Sequence, residues 1–247
     1  VSLVDLLGSV RERVDVYGSG GFTSYSEREL CDQLAGWVEQ GIPRVKMKVG
    51  RDAQADPARV RAARNAIGEA AELFVDANGA YSAMQASRLA HEFAKVGVTW
   101  FEEPRPSDDF RGLQCVRKGA PAGMDIAAGE YGDVESDYVR MIDADVADVL
   151  QIDVSRCGGA TGALRLAALC GAHHVPLSIH CVPALSVPVG CACREIRHIE
   201  HFHDHVRLES MLFDGVLTPT GGALEPDRTA PGNGLRLKVA DADRHLV

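Results

Sequence analysis

Short apolar runs that end in polar residues alternate along this chain with stretches of helical spacing. In the clearest unit, apolar residues 73–75 end at Asp76, a helical pattern follows, and apolar residues 98–101 end at Glu102. Between the two runs, apolar positions three and four residues apart indicate an amphipathic helix. The unit therefore predicts a strand, a helix and a second strand, with a carboxylate at the C-terminal end of each strand.

The same alternation predicts eight strands over the whole chain. Their runs cover residues 14–17, 45–50, 73–78, 98–104, 125–130, 149–153, 176–180 and 196–200. Intervening helical patterns are typical of parallel α/β folds. Local signals mark several helix starts, which are the capping box Ser26/Glu29, Asp56 before Pro57, Asp133, and a start near Thr161.

Eight such units without a break in composition favour a closed α/β barrel of the TIM type. An open doubly wound sheet is the alternative. The length of 247 residues fits one barrel. We divide the chain into a lead-in segment, residues 1–12, a barrel, residues 13–211, and an irregular C-terminal closing segment rich in Gly and Pro, residues 212–247.

Composition limits the classes of function. With 46% hydrophobic and 25% charged residues, the chain resembles ordinary globular proteins. Its formal charge of −9 argues against binding to nucleic acid or to an anionic membrane surface. The seven cysteines lack CxxC spacing, which favours a reduced, cytoplasmic protein. No apolar run approaches the roughly 20 residues of a membrane span.

One ionisable residue ends each predicted strand from the second to the eighth. These residues are Lys48, Asp76, Glu102, Glu130, Asp153, His180 and Glu200. The C-terminal ends of parallel barrel strands meet on one face, where active sites are built. An acidic residue after a strand is often only a helix cap, so each has a structural alternative. Because buried charges are costly unless paired or metal-bound, the seven together predict a functional site.

Three of these carboxylates, on Asp76, Glu102 and Glu130, end three consecutive strands and predict a metal site. Converging carboxylates repel one another unless a cation lies between them. Oxygen-only ligands suit Mg²⁺ first and Mn²⁺ next, whereas zinc would usually bring His or Cys. Glu103 is one residue further along the strand and should point to the other face, which favours Glu102 as the ligand.

Two other pairs predict groups that transfer protons. Lys46 and Lys48 face the same side of their strand, and their repulsion, with the metal nearby, should lower the pKa of one of them so that it can act as a base. Asp153 and His180 end neighbouring strands, where a carboxylate would orient the imidazole and raise its basicity. The alternatives are two solvated lysines on an edge strand and a purely structural His–Asp pair.

Taken in order, these motifs resemble the barrel of the enolase superfamily, and within it the mandelate racemase subgroup. The motifs are Lys46-x-Lys48, Val75-Asp76-Ala77-Asn78, Phe101-Glu102-Glu103-Pro104, Ala128-Gly129-Glu130, Gln151-Ile152-Asp153, Ser178-Ile179-His180 and His198-Ile199-Glu200. The muconate-lactonizing subgroup is expected to have a lysine where this chain has Asp153. The resemblance implies a modified (β/α)7β barrel, and we expect the family's N-terminal α+β capping domain to be absent from this chain.

The resemblance also implies roles for the site residues. Asp76, Glu102 and Glu130 would hold Mg²⁺, and a proton beside a substrate carboxylate would be removed through an enediolate. Lys48 would be the base on one face, and His180, held by Asp153, the base or acid on the other. Two further roles follow in the same way. Lys46 would help to hold the substrate carboxylate, and Glu200, protonated or sharing a proton, would hydrogen-bond to the enediolate oxygen. Asn78 is a candidate for the surroundings of the metal ligands.

Dehydration of a sugar acid, a lyase reaction, is the activity that we expect. Racemisation or epimerisation of a 2-hydroxy acid and a metal-binding barrel without turnover are alternatives, because the same strand-end residues serve them all. The expected partner is a small-molecule carboxylate, and we expect a homo-oligomer that binds neither nucleic acid nor membrane.

Overall fold

Eight parallel strands close into a barrel in the computed structural model, which describes residues 1–245. Strands β1 to β8 comprise Val14–Gly20, Arg44–Lys48, Glu72–Asp76, Val98–Glu102, Asp125–Ala128, Val149–Ile152, Leu177–Ile179 and Ile196–Phe202. Each strand pairs in parallel with the next, and β1 pairs with β8, which closes the sheet. The predicted closed barrel is confirmed, and the open doubly wound alternative is wrong.

Helices connect the strands in the expected (β/α)7β order. The first helix, α1 (Leu3–Leu7), precedes β1, and helices α2 to α8 then connect the successive strands of the barrel. They comprise Glu27–Glu39, Asp56–Ile67, Ala83–Ala94, Phe110–Lys118, Glu135–Asp143, Gly159–Ala172 and Pro183–Ala192. Helix α9 (His203–Leu212) follows β8. Within residues 1–245, no helix is both long and apolar enough to cross a membrane.

Both flanking segments pack on the barrel. Helix α1 lies against α8, and the backbone of Ser2 bridges to Gly232. The C-terminal segment contains three short strands and two short helices, which are β9 (Phe213–Asp214), β10 (Ala223–Leu224), β11 (Arg236–Leu237), α10 (Val239–Ala242) and the 3₁₀ helix Asp243–His245. Strand β10 extends the barrel sheet by antiparallel pairing with β1. The domain boundaries at residues 12 and 211 stay a prediction.

Local signals explain some helix starts and fail at others. The Ser26/Glu29 capping box of α2 is present, with the Ser26 N–H donating to Glu29 Oε2 at 2.8 Å. Asp56, however, is not the N-cap of α3, because Ala55 takes that position. The buried Asp56 carboxylate instead accepts hydrogen bonds from other segments, namely from Gly50 N–H at 2.9 Å and from the Tyr81 hydroxyl at 2.5 Å.

The predicted cap of α6 is also wrong. Val134 is the N-cap residue, and the predicted residue, Asp133, lies one position earlier. The carboxylate that closes this helix end belongs to Asp137, whose Oδ2 accepts from the N–H groups of Asp133 at 3.0 Å and Val134 at 3.2 Å. Helix α8 has no predicted counterpart, because it is apolar on most sides and buried, and therefore lacks an amphipathic period.

The inside of the barrel is filled in layers, as in other barrels of this type. An aromatic layer lies below the strand ends and consists of Tyr17, Phe74, Trp100, Ala127 and Val149, all at most 2% exposed. The rings of Phe74 and Trp100 stack with centroids 5.3 Å apart. Because side chains alternate along a strand, the residues two positions further on face the same interior one layer higher. Asp76 and Glu102 follow Phe74 and Trp100 in this way.

Candidate active site

The predicted strand-end residues lie together at the C-terminal end of the barrel. Lys48, Asp76 and Glu102 are the last residues of β2, β3 and β4, and Glu200 lies within β8. Glu130 follows β5 after one residue, and Asp153 and His180 directly follow β6 and β7. Five of the seven are buried, whereas the side chains of Lys48 and His180 keep 17% and 12% of their surface exposed. These two basic groups are therefore the ones with access to solvent.

Asp76, Glu102 and Glu130 form a cluster with the chemistry of a metal site. Each offers one carboxylate oxygen, and these oxygens lie within 4.8 Å of one another. All three residues are at most 3% exposed. Glu130 Oε2 has no hydrogen-bond partner among residues 1–245, so a buried acceptor is left for a cation. An oxygen-only donor set of this kind fits a hard divalent ion such as Mg²⁺.

The three carboxyl groups of the cluster differ in pKa. Burial alone would raise the pKa of Asp76, but the ammonium groups of Lys48 and Lys46 lower it to about 2. Burial and the charge of Asp76 raise the pKa of Glu102 well above its ordinary value. Burial also raises the pKa of Glu130. Protons thus compete with a metal ion for this cluster, which ties metal affinity to pH.

Both lysines are held by carboxylates. Lys48 Nζ donates a hydrogen bond to Asp76 Oδ2. Lys46 Nζ lies 2.5 Å from Glu102 Oε1, 2.9 Å from Glu200 Oε1 and 3.5 Å from Asp76 Oδ2. Burial opposes the charged form of both lysines, yet these carboxylates raise both pKa values. Among the protein's own groups, the attraction of the carboxylates exceeds the repulsion between the two lysines. The predicted lowering of one lysine pKa, which includes the effect of a nearby metal ion, stays a prediction.

His180 and Asp153 form the predicted pair. The Nδ1 atom of the imidazole lies 2.8 Å from Asp153 Oδ2, and Asp153 Oδ1 accepts from the Ser155 N–H at 2.7 Å. Burial disfavours the imidazolium, but the hydrogen bond to Asp153 and the nearby glutamates raise the pKa of His180. With Nδ1 facing Asp153, the other ring nitrogen, Nε2, faces Glu130 Oε2 at 3.4 Å and Glu200 Oε2 at 3.7 Å.

Glu200 is surrounded by donors. Ser19 Oγ donates to Glu200 Oε1 at 2.5 Å, and the N–H of Cys181 donates to Oε2 at 3.2 Å. Burial would raise the pKa of this carboxyl, but the charges of Lys46 and His180 hold the pKa well below its ordinary value. These contacts favour the ionised carboxylate, whereas the expected role of Glu200, protonated or sharing a proton with the enediolate, stays a prediction.

Glu103 leaves the strand instead of continuing it. Strand β4 ends at Glu102, and Glu103 has a φ of 37°, in the left-handed region. Its side chain is buried, and burial together with the charges of Glu130 and Asp76 raises its pKa to about 8. The predicted alternation between faces does not apply to it, so Glu103 belongs to the surroundings of the carboxylate cluster. The candidate Asn78 contributes there through its backbone N–H, which donates to Asp76 Oδ1 at 2.8 Å.

Two residues of the site are absent from the sequence-based prediction. Ser19 lies beyond the predicted first strand, residues 14–17, but β1 extends to Gly20 and places Ser19 inside the barrel. Its position two residues after the buried Tyr17 is the signal that could have identified it. Cys181 follows His180, and its Sγ atom lies 3.2 Å from both His180 Nε2 and Glu200 Oε2. No periodic signal marks Cys181, because its backbone is left-handed, with a φ of 52°.

Comparison with known proteins agrees with this architecture. The family model described as "Enolase C-terminal domain-like" matches residues 29–242. A curated relative, the 3,6-anhydro-alpha-L-galactonate cycloisomerase of Streptomyces coelicolor, is 32% identical over 98% of this chain and 66% of its own length. The chain spans about half the length of other curated relatives, for example 46% of the D-galactarolactone cycloisomerase of Agrobacterium fabrum.

Solved structures give the same result. A mandelate racemase/muconate lactonizing enzyme-like protein from Rubrobacter xylanophilus superposes with a TM-score of 0.96 at 51% identity, covering 99% of this chain and 68% of that one. The L-talarate dehydratase of a Polaromonas species, complexed with Mg and L-glucarate, has a TM-score of 0.87 at 32% identity, with coverages of 98% and 66%. The chain therefore belongs to the enolase superfamily and, within it, to the mandelate racemase-like subgroup.

Proposed function

We propose that this barrel removes the α-proton of a sugar-acid carboxylate in a Mg²⁺-dependent reaction that passes through an enediolate and ends in dehydration. The observation that carries the proposal is the arrangement around the carboxylate cluster. Lys48 contacts the cluster at Asp76, and the His180–Asp153 pair contacts it at Glu130. A substrate bound at the cluster would therefore have one basic side chain beside each end of it.

Mg²⁺ and the protein side chains would have different roles in the reaction. Mg²⁺ on Asp76, Glu102 and Glu130 would supply Lewis-acid stabilisation of the negative charge that develops on the substrate carboxylate, worth several kcal/mol. Lys48 would accept the α-proton on one face in its neutral form. Mg²⁺ bound to Asp76 would favour that form, because it would offset the carboxylate charge that raises the pKa of Lys48. On the other face His180 would deliver a proton to the departing β-hydroxyl, and its raised pKa supports the role of an acid.

The remaining site residues would position these groups. Lys46 binds Glu102 and Glu200 together, so it would fix the two carboxylates and offset their charge, in addition to the predicted contact with the substrate carboxylate. Asp153 would hold the His180 ring in one tautomer with Nε2 directed to the substrate. Glu200 would share a proton with the enediolate oxygen or accept hydrogen bonds from donors beside it, and the charges of Lys46 and His180, which lower its pKa, favour the accepting form.

Similar proteins support dehydration, and some of them support an isomerase reaction instead. The structure of L-talarate dehydratase complexed with Mg and L-glucarate supports both the ion and a sugar-acid substrate. The relatives named as cycloisomerases and a neighbour named as a racemase with bound magnesium support an isomerase that begins with the same proton abstraction. Epimerisation of a 2-hydroxy acid is therefore the second candidate.

A screen of acid sugars with Mg²⁺ tests the proposal. The purified protein is incubated in D₂O with each acid, and both keto-acid formation and deuterium at the α-carbon are measured. Keto acid with Mg²⁺, lost with excess chelator, is expected. An epimer without keto acid would favour the second candidate. Neither product nor deuterium exchange with any acid would contradict the proposal.

A further inference from the structure

A second cluster of metal-ligating atoms lies beside the carboxylate cluster. His180 Nε2, Cys181 Sγ and Glu200 Oε2 lie within 4.8 Å of one another. Sulfur is 3.2 Å from both of the other atoms, and the nitrogen and oxygen are 3.7 Å apart. We propose that these three atoms form a site for a thiophilic divalent ion such as Zn²⁺, separate from the oxygen-only Mg²⁺ site.

The distances match a tetrahedral ion. With Zn–S bonds of about 2.3 Å and Zn–N or Zn–O bonds of about 2.0 Å, tetrahedral donor atoms lie roughly 3.3 to 3.6 Å apart. The observed separations of 3.2, 3.2 and 3.7 Å each lie about 0.1 Å outside this range, so binding requires only small shifts of the donor atoms. A nitrogen, a sulfur and an oxygen donor select zinc over magnesium, which accepts oxygen ligands and octahedral geometry.

The surroundings of the histidine favour its use as a ligand. A metal-bound imidazole usually donates its other ring N–H to a carboxylate, which fixes the tautomer. Here Nδ1 lies 2.8 Å from Asp153 Oδ2, so the lone pair of the neutral ring is on Nε2, where the other two donors converge.

Charge balance is satisfied. Binding replaces the thiol proton of Cys181 and any proton on His180 Nε2, and both are released to the buffer. A thiolate and the Glu200 carboxylate then neutralise the two charges of the ion. On the function proposed above, an ion at this site would occupy Nε2 and block proton transfer through His180. We therefore expect Zn²⁺ to inhibit the Mg²⁺-dependent reaction.

Co²⁺ substitution tests the site without any substrate, so its failure is distinguishable from failure of the proposed function. A near-ultraviolet thiolate-to-cobalt charge-transfer band requires a Co–S bond, and Co²⁺ on oxygen ligands gives none. We expect the band in the wild-type protein and in Asp76→Asn, with its loss in Cys181→Ser. Cys115→Ser, which removes an exposed thiol away from the site, is the matched control and should keep the band.

Absence of the band from the wild-type protein would overturn the proposal, whether or not the variants fold. Persistence of the band in Cys181→Ser, or its loss in Cys115→Ser, would assign the sulfur to another cysteine and would overturn it equally. Competition supplies a second measurement. Zn²⁺ should displace Co²⁺ from the wild-type protein at least tenfold more effectively than Mg²⁺ does, and equal effectiveness would contradict a thiolate site.

Discussion

His180 and His198 both belong to the polar interior of this barrel, on neighbouring strands, yet their surroundings give them opposite acid–base properties. His180 lies above β7 against Asp153, and this carboxylate with the nearby glutamates raises its pKa. His198 lies one layer lower, with its ring centroid 4.9 Å from that of Tyr17 and 5.2 Å from that of Trp100. Burial and the charge of Arg197 lower the pKa of His198 well below its ordinary value.

The two layers differ in the same way. The upper layer is formed by Lys46 and the strand-end residues from Lys48 to Glu200, whose carboxylates and basic groups compensate one another. The aromatic layer below it contains uncharged groups with low exposure. Charges inside a protein persist only where opposite charges or hydrogen bonds offset the loss of water. The upper layer is therefore suited to bind ions and transfer protons, whereas the aromatic layer packs beneath it as part of the hydrophobic core.

The largest effect is expected for Asp76→Asn in the upper layer. Loss of this charge removes a ligand of the proposed Mg²⁺ site and leaves Lys48 without its partner, so we expect turnover to fall roughly 10⁴-fold, as the loss of several kcal/mol implies. Mg²⁺ affinity, measured by calorimetry, should fall with it. Asp32→Asn, an exposed position on α2, is the control, and equal Mg²⁺ affinity in both variants would contradict the assignment.

The next effect contrasts the two histidines directly. His180→Asn should reduce keto-acid formation by about 10²- to 10⁴-fold, because the group that protonates the departing β-hydroxyl is lost. His198→Gln removes a neutral ring that has no place in the proposed chemistry and should reduce it far less. Keto-acid formation from a substrate identified in the screen measures both variants, and α-deuterium exchange, which is assigned to Lys48, should persist in each. Similar losses in both variants would contradict the different roles assigned to the upper layer and the aromatic layer.

Phe74→Ala should affect the packing of the aromatic layer alone. The ring is 2% exposed and stacks on Trp100, so its removal should lower the free energy of unfolding by about 3–5 kcal/mol. Met84→Ala, whose side chain is 82% exposed, should cost less than about 0.5 kcal/mol. Urea unfolding of both variants provides the comparison. A loss below about 1 kcal/mol for Phe74→Ala would contradict a close-packed aromatic layer.

The smallest effect concerns pH. Because the pKa of His198 is lower in the folded chain than the ordinary 6.5, the unfolded chain takes up its proton first, and stability falls as pH drops below about 6.5. His198→Gln should lessen this fall by up to about 1.4 kcal/mol per pH unit. His180 has the opposite sign, since stability from its raised pKa is present below pH 6.5 and disappears as pH rises through the folded pKa.

Unfolding of the wild-type protein and of both histidine variants between pH 5 and 7 measures these slopes. His180→Asn should steepen the fall in stability toward low pH or leave it unchanged, because the variant loses stability chiefly at the acidic end. An identical slope in the wild-type protein and His198→Gln would show that His198 titrates normally. The contrast between the two histidines would then be wrong.

The sequence alone determined the barrel and the position of most of the site. Periodicity located β2 to β8, and the polar residues that end them, from Lys48 to Glu200, lie together as predicted. This worked because strand alternation and the parallel direction of the strands are local consequences of the hydrophobic pattern. Where the chain leaves regular strand geometry, as at Glu103 and Cys181, strand alternation no longer applies and the same pattern carries no signal.

Only the tertiary structure decided the charge states and the contacts across the barrel. Lys46 is held by Glu102 and Glu200, which are 56 and 154 positions later in the chain, so its raised pKa cannot be read from its neighbour Lys48. Ser19 reaches Glu200 only because β1 closes against β8. A pKa depends on burial and on distances between atoms of different strands, and neither quantity exists until the barrel has closed.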